Sequence, residues 1–272
     1  MHELCDIMNV SRSGYYQWLG RPASQGDQRR DGLVEQVRQV HAASRGLYGS
    51  PRICAELNKR GVKVSENTVA KLMRTHGIRS KIRRRFRACT PDSGHAHPVA
   101  ANHLNRAFDP TAINRVWCTD LTYVPTDEGW LYLAVVLDLG SRRIVGRALG
   151  EDLKADLCLA ALHEALRRRR PPSGLLHHSD RGVQYACEAY QAVLARYGSV
   201  CSMSRKGNPY DNAVAESFFS TFKRELVHLE HYATREQARQ SILDYIDGFY
   251  NPTRLHSTLG YLSPVEFEAS LE

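Results

Sequence analysis

The chain has 272 residues, 42% of them hydrophobic, and a formal net charge of +8. That length accommodates two domains, or one large domain with an appendage, and the apolar content supports a core. No run of about 18 apolar residues occurs, which argues against a membrane-spanning helix, and the first residues lack the basic-then-apolar pattern of a secretory signal, so none is expected.

The seven cysteines (5, 54, 89, 118, 158, 187 and 201) are scattered and never spaced Cys-x-x-Cys. Neither a disulfide framework nor a tetrahedral zinc site is expected, and reduced thiols in a cytoplasm are the simplest reading. Charge is uneven. Residues 1–100 hold 18 Lys/Arg against 8 Asp/Glu, whereas residues 101–272 hold 19 against 21. A basic module beside a near-neutral one fits a polyanion-binding arm on a catalytic body. On charge alone, a solvated basic surface without a partner fits equally well.

In chain order, residues 5–19 read as helix, turn and helix, with Ser11 a cap candidate. Residues 31–44 form an amphipathic helix, with Leu33, Val34, Val37 and His41 on one stripe. Gly49-Ser50-Pro51 offers a cap followed by proline in the first helical turn. That helix is predicted to end near Gly61, and Ser65 to cap another running to about His76. The pair resembles a helix-turn-helix, whose second helix would present Glu66, Asn67, Thr68 and Lys71 to a major groove. A helical hairpin that binds nothing has the same pattern. The basic run that follows (Arg79, Lys81, Arg83, Arg84, Arg85, Arg87) suits phosphate contacts, which supply affinity rather than sequence reading. We therefore divide the chain into a helical DNA-binding region (1–87), a Pro- and Gly-punctuated linker (88–113) and a catalytic core (114–272). His95 and His97 in the linker are not expected to bind metal.

The second half alternates. Strands are predicted over 116–125, 130–138 and 142–149, joined as two hairpins. A helix over 155–170 follows, ending in Arg167–Arg170, a quartet that the helix dipole favours without any ligand. Then come a strand at 175–179, a helix at 186–197, a strand at 200–203, and long helices at about 212–228 and 234–249. Three antiparallel strands followed by helix, strand, helix, strand and helix is the order of an RNase H-like α/β core, here preceded by an all-α region.

Three acids stand out within that core. Asp120 lies in Trp117-Cys118-Thr119-Asp120-Leu121-Thr122-Tyr123, mid-strand in an apolar element, where an ionised carboxylate is costly unless paired or metal-bound. Asp180 closes His178-Ser179-Asp180 just past a strand's carboxyl end, where α/β folds place ligands. Glu216, separated from Asp180 by 35 residues, lies near the start of a helix. Three carboxylates on separate elements can hold two Mg²⁺ ions roughly 4 Å apart, which clamp the attacking and leaving oxygens of a phosphoryl displacement. Taken singly, each acid reads as a surface group or cap. Asp211 is expected to cap the Glu216 helix, and Asp138 to end its strand as a turn residue. Lys223, two turns past Glu216 on the same face, would point at DNA near the metals. Arg205 and Lys206 open a polar loop expected to order the substrate.

At these residues the sequence resembles the DDE-type transposases encoded by the second reading frame of bacterial insertion sequences, whose catalytic core is shared with retroviral integrases. The resemblance rests on Val10-Ser11-Arg12-Ser13-Gly14-Tyr15-Tyr16, on Gly46 to Ile53, and on the three blocks around Asp120, Asp180 and Glu216. It extends to Tyr250-Asn251-x-x-Arg254-x-His256-Ser257-x-Leu259 with Ser263-Pro264-x-x-Phe267. It implies that Asp120, Asp180 and Glu216 are catalytic Mg²⁺ ligands and that Lys223 is the basic residue that follows the glutamate. Two ions per site are expected, with Mn²⁺ able to substitute. One, between Asp120 and Asp180, would activate a water and then a DNA 3′-OH; the other, between Asp120 and Glu216, would stabilise the leaving oxygen.

Double-stranded DNA, both element ends and target, is the implied partner, with Asn67, Lys71, Arg83, Arg84, Arg85, Arg205, Lys206 and Lys223 as contacts. A homo-oligomer, and the upstream-frame protein or a fusion with it, are further implied partners. The expected location is the bacterial cytoplasm, on the nucleoid when DNA-bound. The zinc-domain spacing of retroviral integrases is absent. Two other readings keep the same residues: a nuclease of the RNase H class, and a non-cutting DNA-binding regulator of transposition made from the downstream frame alone.

Overall fold

The computed structural model describes residues 5, 7–22, 24–82, 99–106, 112–205 and 209–271, with the side chains of 209 and 210 excepted. Arg83, Arg84, Arg85, Arg87, Lys206, and most of the linker with His95 and His97, lie outside the described residues. Two compact units emerge, Met1–Arg79 and Ser80–Glu272.

The first unit is helical: α1 (Arg12–Leu19), α2 (Gln25–Ala43), α3 (Ser50–Lys59) and α4 (Glu66–Thr75). Ser11 caps α1 by accepting the Gly14 N–H, and Ser65 caps α4 by accepting the Thr68 N–H. Gly49 takes the cap position of α3, with Pro51 in its first turn. Helix α2 starts six residues before the predicted start at residue 31, because Ser24 caps it through the Asp27 N–H. Val34, Val37 and Val40 of α2 are buried, as are Ile53 and Leu57 of α3 and Val69, Leu72 and Met73 of α4. The turn between α3 and α4 is clamped by Asn58. Its side chain donates to Val64 O at 3.0 Å and accepts the Val64 N–H at 3.3 Å.

The second unit is built on a five-stranded sheet of order β3-β2-β1-β4-β5. Its strands are β1 (Val116–Thr126), β2 (Gly129–Asp138), β3 (Ile144–Gly150), β4 (Leu176–Ser179) and β5 (Val200–Met203). The first three are antiparallel neighbours, and β4 and β5 join in parallel. This mixed sheet is the RNase H-like arrangement expected from the element order. Strand β3 begins two residues late because Arg142 takes a left-handed φ of 60° in the turn, and a bulge follows at Val136/Leu137. Asp138 ends β2 as expected. It accepts hydrogen bonds from the Ser141 and Asn114 N–H groups and from Trp117 Nε1.

Helix α5 (Ala155–Arg169) covers one face, burying Cys158, Ala161, Leu162 and Ala165 against Trp117, Ala134 and Val136. It packs so closely on β3 that a Cβ on Gly146 would sit 2.2 Å from Ala161 O. The helix predicted over 186–197 is two, α6 (Val183–Ala186) and α7 (Glu188–Arg196), broken where Cys187 is extended.

Helices α8 (Ala213–Phe222) and α9 (Arg235–Leu243) lie against β1 and β2. Each runs on into a wide π segment, Lys223–Val227 and Asp244–Tyr250, respectively. A last helix, α10 (Pro264–Ala269), starts on a capping box between Ser263 and Glu266. No described helix is long and apolar enough to cross a membrane.

Candidate active site

The parallel register between β1 and β4 pairs Cys118 with His178. Continued by two residues along both strands, that register would bring Asp120 level with Asp180, which follows the end of β4. Strand spacing of about 4.8 Å is what allows neighbouring carboxylates to share one ligand. Asp120 is still within β1, opposite Val135 of β2, whereas Asp180 follows the last residue of β4 and is exposed.

The end of β4 is held from β5. Buried His178 hydrogen bonds through Nδ1 to Ser202 Oγ (2.9 Å) and through Nε2 to Ser204 Oγ (3.2 Å). Burial pushes its pKa down to about 4, so the ring stays neutral. The Ser204 N–H donates to Ser179 O at 3.0 Å, and Arg181 Nε donates to Ser204 O. Asp180 Oδ1 accepts the Gly182 N–H at 2.8 Å, and a Cβ on Gly182 would meet that same oxygen at 3.0 Å. The turn that orients Asp180 is therefore closed around a residue without a side chain.

Helix α8 delivers Glu216. Ala215 is buried against Cys118 and Leu139, while Phe218, Phe219 and Phe222 bury the helix's apolar side. Glu216, next to Ala215, stays exposed. Lys223 opens the π segment. Its Nζ lies 4.8 Å from the centre of the Tyr123 ring, a cation–π geometry.

Electrostatics tie the four groups together. Burial first, and then the charges of Asp180 and Glu216, push the Asp120 carboxyl well above the usual range; the Leu121 N–H and Lys223 oppose this. Burial raises Glu216 and lowers Lys223, the latter effect resisted by Asp120. Asp120 Oδ1 accepts a hydrogen bond from the N–H of its neighbour Leu121, at 2.8 Å. A half-buried carboxylate facing two others is short of positive charge, and an all-oxygen donor set of this kind suits a hard divalent cation. Among the described residues, no three His, Cys, Asp or Glu side chains are already gathered closely enough to hold an ion.

Asp211 does not cap α8. The cap position belongs to Asn212, which makes no side-chain cap bond. Asp211 is instead fully buried, accepting from Arg205 Nε (2.9 Å), the Arg205 N–H (2.9 Å), Arg106 Nε (3.2 Å) and Asn102 Nδ2 (2.8 Å). Those partners hold its carboxyl far below the usual range, Arg205 contributing most. Arg205, expected at the DNA, pairs with Asp211 through Nε and Nη2 while its side chain stays 49% exposed. Asn67 and Lys71 are exposed on α4, opposite buried Val69, Leu72 and Met73, in the other unit.

Sequence reasoning left Glu225 and Arg254 without roles, although Arg254 lies in the C-terminal signature. Arg254 Nε and Nη2 donate to the two Glu225 oxygens at 2.8 Å each, and Tyr245 O–H donates to Glu225 at 2.8 Å. Both charges are buried. Asn251, from the same signature, bonds both the N–H and the C=O of Ile144, imitating a strand at the end of β3.

Family models cover much of the chain. An integrase core domain model covers residues 110–209, another covers 216–270, and an HTH-like domain model covers 28–86. The insertion element IS600 uncharacterized 31 kDa protein of Shigella sonnei is 45% identical over 264 residues, spanning 97% of each chain. Transposase InsF for insertion sequence IS3A of Escherichia coli (strain K12) is 42% identical over 269 residues, 97% of this chain and 92% of that one. Among solved structures, a chain of the simian T-cell lymphotropic virus intasome complex is 14% identical, with a TM-score of 0.46, over 85% of this chain and 73% of that one. The catalytic core domain of BIV integrase is 17% identical, with a TM-score of 0.44, over 58% and 95%. With relatives at 42% and 45% identity along nearly its whole length, the chain belongs to the integrase-core family of insertion-sequence transposases.

Proposed function

We propose that this protein is a transposase that cuts DNA at the ends of an insertion sequence and joins them to target DNA. The observation that supports the reading is that β1, which carries Asp120, pairs in parallel with β4, which Asp180 follows directly, and that the charges of Asp180, Glu216 and Lys223 act on the Asp120 carboxyl. Asp120, Asp180 and Glu216 are the residues that would hold divalent cations, Mg²⁺ in our reading and two per site. Such ions supply activation of the attacking oxygen and stabilisation of the leaving one.

The protein's own residues do the rest. The β4–β5 network fixes Asp180, the buried face of α8 fixes Glu216, and Lys223 meets a backbone phosphate beside them. Asn67 and Lys71 on α4, together with the basic run beyond it, bind double-stranded DNA. Paired-end joining needs two ends held together, so the working species is an oligomer of this chain, alone or with an upstream-frame DNA-binding partner. The regulator reading is disfavoured because all three carboxylates are present and a relative 42% identical over nearly the whole chain is named a transposase.

Strand transfer of a labelled element-end oligonucleotide in Mg²⁺ tests this, with Glu216→Gln as control. Joined products that vanish in the variant are expected. DNA bound but never cut, even with the upstream-frame protein added, would return the protein to the regulator class.

A further inference from the structure

Beside the carboxylates lies an aromatic feature that the chemistry above does not use. Tyr123, three residues past Asp120 on β1, is 51% exposed, and Trp130 on β2 is 49% exposed. The two rings meet edge to face, with centroids 4.8 Å apart and planes at 75°. Tyr123 pairs with Tyr132, and Trp130 with Pro125, so the contact runs diagonally across the hairpin. Diagonal aromatic pairs do stabilise hairpins. Elsewhere in this unit most large rings are put away, Trp117, Tyr185, Tyr190 and Tyr245 each at most 1% exposed, although Tyr197 is 44% exposed. Two half-wet rings forgo much of the burial energy available to them.

Their position gives them another use. A strand rise of about 3.3 Å per residue places Tyr123 about 10 Å from Asp120. Lys223 spans that gap, its ammonium lying over the Tyr123 ring and within the field of Asp120. A nucleotide whose backbone sits at the carboxylates and Lys223 can lay its base on these rings only if that base is unpaired, because a duplex hides its base faces.

We propose that Tyr123 and Trp130 form a stacking platform for an unpaired base of the DNA strand being processed, with Lys223 at the junction of ring and phosphate. The proposal rests on the transposase reading and adds a subsite to it. Stacking on aromatic rings tolerates any base, because every base has a π face. The platform therefore serves strand opening at the reaction point without adding sequence preference.

The test is binding without cleavage. Full-length protein is titrated, in EDTA, onto a duplex oligonucleotide with 2-aminopurine in a short unpaired 3′ tail. Stacking is expected to quench that fluorescence. Tyr123→Leu and Trp130→Leu keep apolar bulk but lose the ring; each is expected to abolish most of the quench and weaken binding about tenfold. Trp130→Phe restores most of both. A tail of abasic sites, offered to the unaltered protein, is expected to bind about tenfold more weakly than the tail with bases, and this arm is immune to folding defects in any variant. Equal affinity for the two tails, or an unchanged quench in both leucine variants, reduces the rings to a hairpin staple and overturns the proposal. Because EDTA excludes metal-dependent chemistry, failure of strand transfer with the quench intact would remove the transposase reading and leave the base-stacking site standing.

Discussion

At the scale of single residues, Asp120 carries opposed demands. Its carboxylate is half-buried and faces Asp180 and Glu216, an arrangement that costs stability until a cation arrives. Asp120→Asn should therefore abolish cleavage and leave DNA binding measurable, while raising the melting temperature of the metal-free protein by about 2–4 °C, the scale of 1 kcal/mol in a domain of this size. Mg²⁺ should raise the melting temperature of the unaltered protein and do little for the variant. Thermal melts with and without the ion check both statements.

Asp211 has the opposite sign. Its folded pKa is depressed, so the ion pairs with Arg205 and Arg106 stabilise fully above the unfolded aspartate value of about 3.9 and are lost as pH falls toward the folded value. Urea melts from pH 7 to pH 3 should show an acid-side loss of stability that Asp211→Asn reduces.

At the scale of elements, the polypeptide's own patterning announced most of the sheet. Alternating apolar runs and Asp, Gly and Ser turns gave the hairpins of β1, β2 and β3 to within two residues, and Ser11 and Ser65 marked helix starts through a local hydrogen bond. Asp120 stood out as an acid in an apolar strand, where an unpaired charge is costly, and Asp180 and Glu216 by their places past a strand end and near a helix start. What stayed hidden depends on partners distant in the chain. Asp211 has the sequence context of a cap, yet Asn102, Arg106 and Arg205 claim its oxygens. The pairing of Arg205 with Asp211 was hidden for the same reason.

The π segments after α8 and α9 have no local signal either. Phe218 packs on Tyr250, and Phe222 on Tyr245, at centroid distances of 5.0 and 5.6 Å, while Glu225 and Arg254 close the gap between the segments. Removing one member of a buried pair strands the other. Arg254→Met is expected to destabilise the second unit by about 3–5 kcal/mol, whereas replacing both, Glu225→Leu with Arg254→Met, restores much of the loss. Denaturant midpoints of the single and double variants decide this.

At the scale of the whole molecule, the charge asymmetry becomes a division of labour. The excess of Lys and Arg falls in residues 1–100, and the carboxylate cluster falls in the unit Ser80–Glu272. DNA affinity of the full chain should fall steeply with salt, and removing residues 1–90 should both weaken binding and flatten that slope, because fewer counterions are released. An affinity and slope that survive the deletion would assign the electrostatic contact to the catalytic unit. Fluorescence anisotropy across a range of KCl concentrations separates the two outcomes.

The Glu225–Arg254 pair also dictates an order of events during synthesis. Residues emerge from a ribosome in sequence, and domains complete as their last contacts become available. Asp120, Asp180 and Glu216 all emerge before Arg254, and before Asn251 can finish the edge of β3. Until those later residues appear, the helix that bears Glu216 ends in a glutamate with no countercharge. A nascent or prematurely terminated chain would thus carry every catalytic side chain and still lack an ordered active site.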